Sequence, residues 1–264
     1  MSGIEKFFSI FSKKKKTDQV GFDVRKNKNG EVVTQEPSQV RQDIIPDLNI
    51  PKDPFIYPRV HQYIPDADMG GLFSTPENKP IGIVIHHTAT YNTADTISIF
   101  KKNAVDVHFI VGHRGEMIQM VPCNRKAAHA GESSWKGKSS LNNYYIGIEV
   151  VNIGQLTKDG SNYLDYYNRK KKKEGKPYSY WRGEVRERKS NGEMYWEPFT
   201  PAQEQAITEI CLWAIDSFGI DIDNIIGHYE CSPGRKVDPA GGFSHGPVFA
   251  YRNYLDKLIK QRAS

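Results

Sequence analysis

The sequence predicts a mixed α/β domain: a central, mostly mixed β-sheet flanked by helices, preceded by an extended N-terminal arm. Three observations predict it. Ile81-Gly82-Ile83-Val84-Ile85 and Tyr145 to Val151 are short, apolar, β-branched runs with the length of buried strands. Two later segments, one opening at Thr200-Pro201 and one running from about Pro247 to Gln261, read as helices. Strand and helix segments also follow one another in mixed order from about Lys79 onward.

The N-terminus stands apart from that body. Ile4, Phe7, Phe8 and Phe11 fall on one face of a helix, and Lys13 to Lys16 follow at once. Residues 1–16 therefore form an amphipathic, cationic segment, fit either to dock on a membrane surface or partner or to pack on its own domain. Residues 17–71 are rich in Asp, Asn, Lys and Pro without sustained periodicity and read as a linker or arm, whose Phe55, Tyr57 and Tyr63 would let it lie on a folded surface. The remaining 72–264 form the main domain.

Within it, the run at 81–85 ends in His86-His87. A helix capped by Thr93 or Asp95 continues to about Ala104, with Ile97 and Phe100 facing inward. Val107 to Val111 and Met117 to Val121 flank the turn His113-Arg114-Gly115-Glu116 as a hairpin. After the strand at 145–151 comes a polar insertion, about 153–197, in which Arg169 to Lys173 mingle with tyrosines and tryptophans; it reads as a solvated loop pinned by a few aromatics, the alternative being aromatics and cations that stack on sugars or bases. Thr200 then caps a helix that buries Ile207, Ile210, Cys211, Ala214 and Ile215 and ends at Gly219. Ile225-Ile226 is a short strand running into Gly227-His228.

Composition narrows the chemistry. Hydrophobic content of 38% over 264 residues allows a real core, and no run of eighteen apolar residues is present to form a spanning helix. The net charge of +5 suits an anionic partner, which charge alone leaves open among nucleic acid, phospholipid and bacterial cell wall. Cys123, Cys211 and Cys231 are an odd set with no CxxC pair, which argues against a disulfide framework and a thiolate finger. No signal peptide is recognisable, so synthesis in the cytoplasm is expected.

A hydrolytic zinc site uses three N or O ligands and an open position. His86 stands where a buried strand runs out, and Pro233-Gly234 turns the chain so that Asp238 can return beside His228. Cys231, three residues after His228, is an alternative soft ligand. Glu149 is the one acidic residue in its apolar strand, so it must be paired, near a metal or at an open strand end.

Four blocks, Ile83-Val84-Ile85-His86, Ala128-His129-Ala130-Gly131, Tyr145-Ile146-Gly147-Ile148-Glu149 and Gly227-His228 through Asp238-Pro239, resemble in order the signature blocks of the zinc-dependent N-acetylmuramoyl-L-alanine amidases. That family is related to the peptidoglycan recognition proteins. The resemblance covers about residues 79–260 and implies an amidase-like fold, peptidoglycan as partner and Zn2+ as cofactor. It implies His86, His228 and Asp238 as metal ligands, with Glu149 acting on the attacking water and Lys236 stabilising the oxyanion. It also suggests His87, His129 and Arg235 as substrate-binding; His108, in mid-strand, reads as structural. Two positions depart from the family pattern: Ala128 stands where many relatives have Trp, and Ser139-Ser140-Leu141-Asn142 lacks an arginine found in diaminopimelate-recognising members. Lys136, Lys138 or Arg235 is the available substitute for that carboxylate grip. The arm and basic loop favour a phage or prophage lytic enzyme (an endolysin) or a delivered wall-degrading enzyme, acting after release or delivery. A cytoplasmic wall-recycling amidase and a non-catalytic peptidoglycan-binding module are the alternatives. Nucleic acid is not expected as a partner.

Overall fold

A computed structural model describes residues 51–65, 79–189 and 193–263; the amphipathic segment 1–16 lies outside them. In chain order the strands are β1 (Gln62–Tyr63), β2 (Gly82–His87), β3 (Phe109–Val111), β4 (Met117–Gln119), β5 (Ser134–Trp135), β6 (Lys138–Ser139), β7 (Tyr145–Val150), β8 (Gln155–Asp159), β9 (Asn162–Leu164), β10 (Arg186–Lys189), β11 (Glu193–Trp196) and β12 (Ile225–Gly227). The helices are α1 (Thr93–Asn103), α2 (Tyr166–Lys173), α3 (Pro201–Phe218), α4 (His228–Cys231) and α5 (Val248–Ala263).

The central sheet has the order β1-β4-β3-β7-β2-β12, with β4 antiparallel to β3 and the other neighbours parallel. Its mixed character follows from the connections: a tight turn joins β3 to β4, and longer segments return the chain for each parallel pairing. Period-two alternation sends side chains to two faces. Ile83 and Ile85 pack with Ile207, Ile210 and Ala214 of α3 and with Tyr251 and Leu255 of α5, while Val84 joins Leu141, Tyr145 and Ile226 on the other side. Each such fully buried aliphatic side chain contributes about 1.5–3 kcal/mol.

Helix α3 begins as its sequence requires, with Thr200 and Gln203 forming a reciprocal capping box and Pro201 in the first turn. Gly219 closes it in the left-handed conformation. Helix α1 differs from expectation at its start. Asn92, not Thr93 or Asp95, is the cap, its side chain accepting from Asp95 N at 2.8 Å. Asn is an equally good cap, so composition alone does not choose among three adjacent candidates.

Two further expectations are revised. Residues 51–65, read as part of the arm, belong to the folded body: β1 pairs with β4, and Ile56, Tyr57 and Val60 are core residues. Gln119 ties them down, accepting from Tyr57 N at 2.8 Å and donating to Phe55 O at 2.9 Å. The insertion is not a loop. It forms a four-stranded antiparallel sheet, β10-β11-β8-β9, with α2 following β9. Its small apolar cluster consists of Ile153, Leu156 and Tyr195, flanked by Tyr163, Tyr167, Trp181 and Val185.

Candidate metal centre

Parallel pairing delivers the site residues to one edge of the sheet. His86 on β2 and Glu149 on β7 are register partners, and Gly227 of β12 pairs with Ile85, so His228 emerges one position beyond, beside His86. Side chains at matching positions of neighbouring strands point to the same face. The site thus sits past the carboxyl ends of three parallel strands, where open α/β sheets build their clefts. Asp238 is brought back by the 232–238 turn: Lys236 N bonds Ser232 O at 3.0 Å, Gly234 supplies a left-handed φ of 75°, and Tyr229 N bonds Asp238 O at 2.9 Å.

Three ligand atoms converge there. His86 Nδ1 lies 2.8 Å from His228 Nδ1, and Asp238 Oδ2 lies 3.3 Å from the first and 3.1 Å from the second. All three residues are buried. The far edge of the His228 ring faces Ala130 O at 3.0 Å, and a carbonyl only accepts, so Nε2 carries the proton and Nδ1 presents its lone pair inward. Burial by itself would push the Asp238 carboxyl up, but the imidazoles of His228 and His86 beside it hold it well below the usual range. His86 is lowered to about 3 by burial first and His228 second, and so is neutral. Two imidazoles and one carboxylate, buried and crowded around one point, are a donor set for Zn2+. Cys231 is not part of it; its thiol contacts His228 O at 3.4 Å, and burial pushes it up to about 11.

Glu149 completes the rung. Its Oε2 is buried without a hydrogen-bond partner. Its carboxyl is raised to about 8, by burial first and Asp238 second, against the opposing charge of Lys236. The Lys236 charge also lowers His86 and His87, so the ammonium lies within electrostatic reach of the site.

The three residues read from sequence as substrate-binding are placed differently. His87 points to the opposite face from His86, its ring edge-on to Trp196 at 6.3 Å and close over Gly154, where a Cβ would come within 2.2 Å of its Nε2. His129 turns both ring nitrogens inward, to His86 Nε2 at 2.9 Å and Tyr145 O at 3.1 Å. Arg235 spends its Nη2 on Ala130 O and Ser232 Oγ, each at 2.8 Å, and on Glu132 O, clamping the 130–132 loop. His108, read as structural, is so: its ring bridges Gly147 N and Arg125 O, each at 2.9 Å. Sequence reasoning missed Ala130 O and Asn142 as parts of this apparatus. A backbone acceptor leaves no residue-type signal, and Asn142 figured in the sequence only as the end of the 139–142 stretch that lacks the family's arginine.

Comparison with known proteins identifies the family. The family model Amidase_2, N-acetylmuramoyl-L-alanine amidase, matches residues 76–241. The chain is 29% identical over 184 residues to N-acetylmuramoyl-L-alanine amidase AmiD of Escherichia coli (strain K12), covering 67% of this chain and 52% of the relative. It is 26% identical over 157 residues to 1,6-anhydro-N-acetylmuramyl-L-alanine amidase AmpD of the same strain, covering 60% of each. The chain spans about half the length of the first of these curated relatives and a little more of the second. A crystal structure of the selenomethionine derivative of AmpD superposes with a TM-score of 0.50 at 20% identity, over 77% of this chain and 97% of that one, and so shares the fold.

Proposed function

The chain belongs to the N-acetylmuramoyl-L-alanine amidase family, Amidase_2, and on that footing we propose that it hydrolyses the amide bond between N-acetylmuramic acid and the L-alanine of the peptidoglycan stem peptide. The observation that carries this reading is the rung itself: three converging ligand atoms with an unpartnered carboxylate on the adjoining strand. When bound, zinc polarises the scissile carbonyl and makes its water a nucleophile near neutral pH.

The chain's own residues supply the rest. Glu149, ionised, takes a proton from the attacking water and passes it to the departing amine as the carbon–nitrogen bond breaks. Burial raises its carboxyl in the metal-free chain, which makes the carboxylate a stronger base toward the water, and the charge of bound zinc would favour its ionised form. Lys236 holds positive charge where the carbonyl oxygen becomes negative, a contribution typically worth about 3 kcal/mol. The test is digestion of purified sacculi by wild type and Glu149→Gln, followed by mass spectrometry. Free stem peptides beginning in L-alanine are expected from the wild type alone; peptides from both proteins, or from neither, would refute the mechanism.

Intact wall is the substrate we favour, in a lytic or delivered enzyme that acts after release; the arm and the basic insertion, which exceed what a minimal recycling amidase needs, support this. Comparing rates on sacculi and on soluble 1,6-anhydromuropeptides decides it, since a recycling enzyme prefers the latter. The amphipathic pattern of residues 1–16, followed by Lys13 to Lys16, supports docking on a membrane or particle surface. Removing them should abolish co-sedimentation with anionic vesicles or particles and leave hydrolysis unchanged.

A further inference from the structure

His129 has no nitrogen left for a substrate. Its own N–H and that of Ala130 both donate to Asn142 Oδ1, at 3.1 and 2.7 Å, which fixes where the ring starts. Nε2 lies 3.1 Å from Tyr145 O. Because that carbonyl can only accept, Nε2 carries the proton and the neutral ring keeps Nδ1 as an acceptor. Nδ1 meets His86 Nε2 at 2.9 Å, so His86 donates there. A neutral His86 that donates from Nε2 has no proton on Nδ1, the atom facing His228 and Asp238. Room for the arrangement is made by Gly147, where a Cβ would stand 2.6 Å from His129 Cγ.

We propose that His129 is a positioning residue that fixes the tautomer and ring angle of His86, so that the Nδ1 lone pair is committed to a divalent cation. The inference rests on the metal-site part of the amidase reading. It assigns to His129 a role the substrate does not touch. Outer partners that orient a metal-bound imidazole typically change metal affinity 10–100-fold.

The full chain, stripped of metal, is titrated with Zn2+ alone against a chromophoric chelator and with Co2+ alone for its visible absorption. His129→Leu keeps bulk without an acceptor and should weaken Zn2+ binding about 10–100-fold and alter the Co2+ bands. His129→Asn puts Oδ1 roughly where Nδ1 stood and should bind Zn2+ within several-fold of wild type. Should the Leu variant fail to fold, Gly147→Ala, which displaces the same ring, is expected to show the same loss. Wild-type affinity in the Leu variant, or equal losses in Leu and Asn, would overturn the proposal. So would a thermal midpoint of the metal-free Leu variant that falls in step with its affinity, which marks a packing role. A wild type that binds Zn2+ tightly yet releases no stem peptide sinks the amidase reading and leaves His129 standing. Hydrolysis by wild type with Zn2+ affinity untouched in the Leu variant does the reverse.

Discussion

The cluster of His86, His228, Asp238 and Glu149 and the inserted sheet formed by β8, β9, β10 and β11 both cover polar side chains, and they differ in the kind of group they leave unpaired. In the insertion, the buried Asp165 accepts from Tyr91 Oη at 3.0 Å and from Asn168 N and Nδ2 at 2.9 and 2.7 Å, and Tyr167 Oη donates to Ala89 O at 2.9 Å. Two covered nitrogens of the insertion, Arg188 Nε and Trp196 Nε1, lack partners, but both are donors that can neither hold a cation nor take up a proton. In the cluster, ligand lone pairs face one another and Glu149 Oε2 bonds to nothing. Partnered polar groups fix a shape, whereas unpartnered acceptors hold a capacity for binding a cation and for proton transfer. On the proposed function the chemistry belongs to the rung, and the insertion bears on the chain that follows His87 through Tyr167, which donates to Ala89 O.

If that division is right, the largest losses come from the ligands. His228→Ala or Asp238→Ala should reduce sacculus hydrolysis at least about 1000-fold, and chelation should do the same reversibly in the wild type. Glu149→Gln should lower kcat about 100- to 10,000-fold while zinc affinity, measured by competition, stays near wild type. A Gln variant that also lost the metal would make Glu149 part of the ligand set and break the separation of roles.

Smaller, and specific to the metal-free protein, is a dependence of stability on pH. Burial raises Glu149 to about 8, above the ordinary 4.5, so between those values the folded state holds a proton that the unfolded state has lost. Stability then falls as pH rises, by up to ~1.4 kcal/mol per pH unit. Burial holds His86, His87, His108 and His129 below 6.5, so the opposite slope they impose, stability rising with pH, ends there. The window from about 6.5 to 8 is left to Glu149. Denaturant unfolding across it should show a downward slope in wild type that Glu149→Gln flattens.

The rung was legible in the sequence because its signals are strong ones: β-branched runs ending in His86 and Glu149, and a Pro-Gly turn between His228 and Asp238. The insertion was not, for a physical reason. β8 reads Gln155-Leu156-Thr157-Lys158-Asp159 and buries one residue, Leu156, because that sheet is largely solvated. β10, Arg186-Glu187-Arg188-Lys189, has no apolar residue to mark it. β1 joins the main sheet through two residues, and its membership rests on backbone pairing that composition does not record. His129 and Arg235 were placed in the right neighbourhood by motif, but which way a side chain turns depends on partners such as Tyr145 O and Ala130 O.

The gentlest test falls on the seam between the two regions. Tyr167 donates its hydroxyl to Ala89 O, in the loop that leaves β2 just after His87, and its ring lies 6.0 Å from that of Tyr91. Ala89 itself has a left-handed φ of 53°, a conformation that alanine holds only at a cost. Tyr167→Phe keeps the ring and removes one hydrogen bond, so stability should fall by about 1 kcal/mol. The loop would be less firmly held, while the ligand atoms and Glu149, fixed by strand register and by Ala130 O, keep their places. KM for sacculi should therefore rise a few-fold with kcat within about two-fold, the pattern of weakened ground-state binding. A fall in kcat matching that of Glu149→Gln would mean that the loop carries part of the catalytic geometry, and that insertion and rung act as one unit.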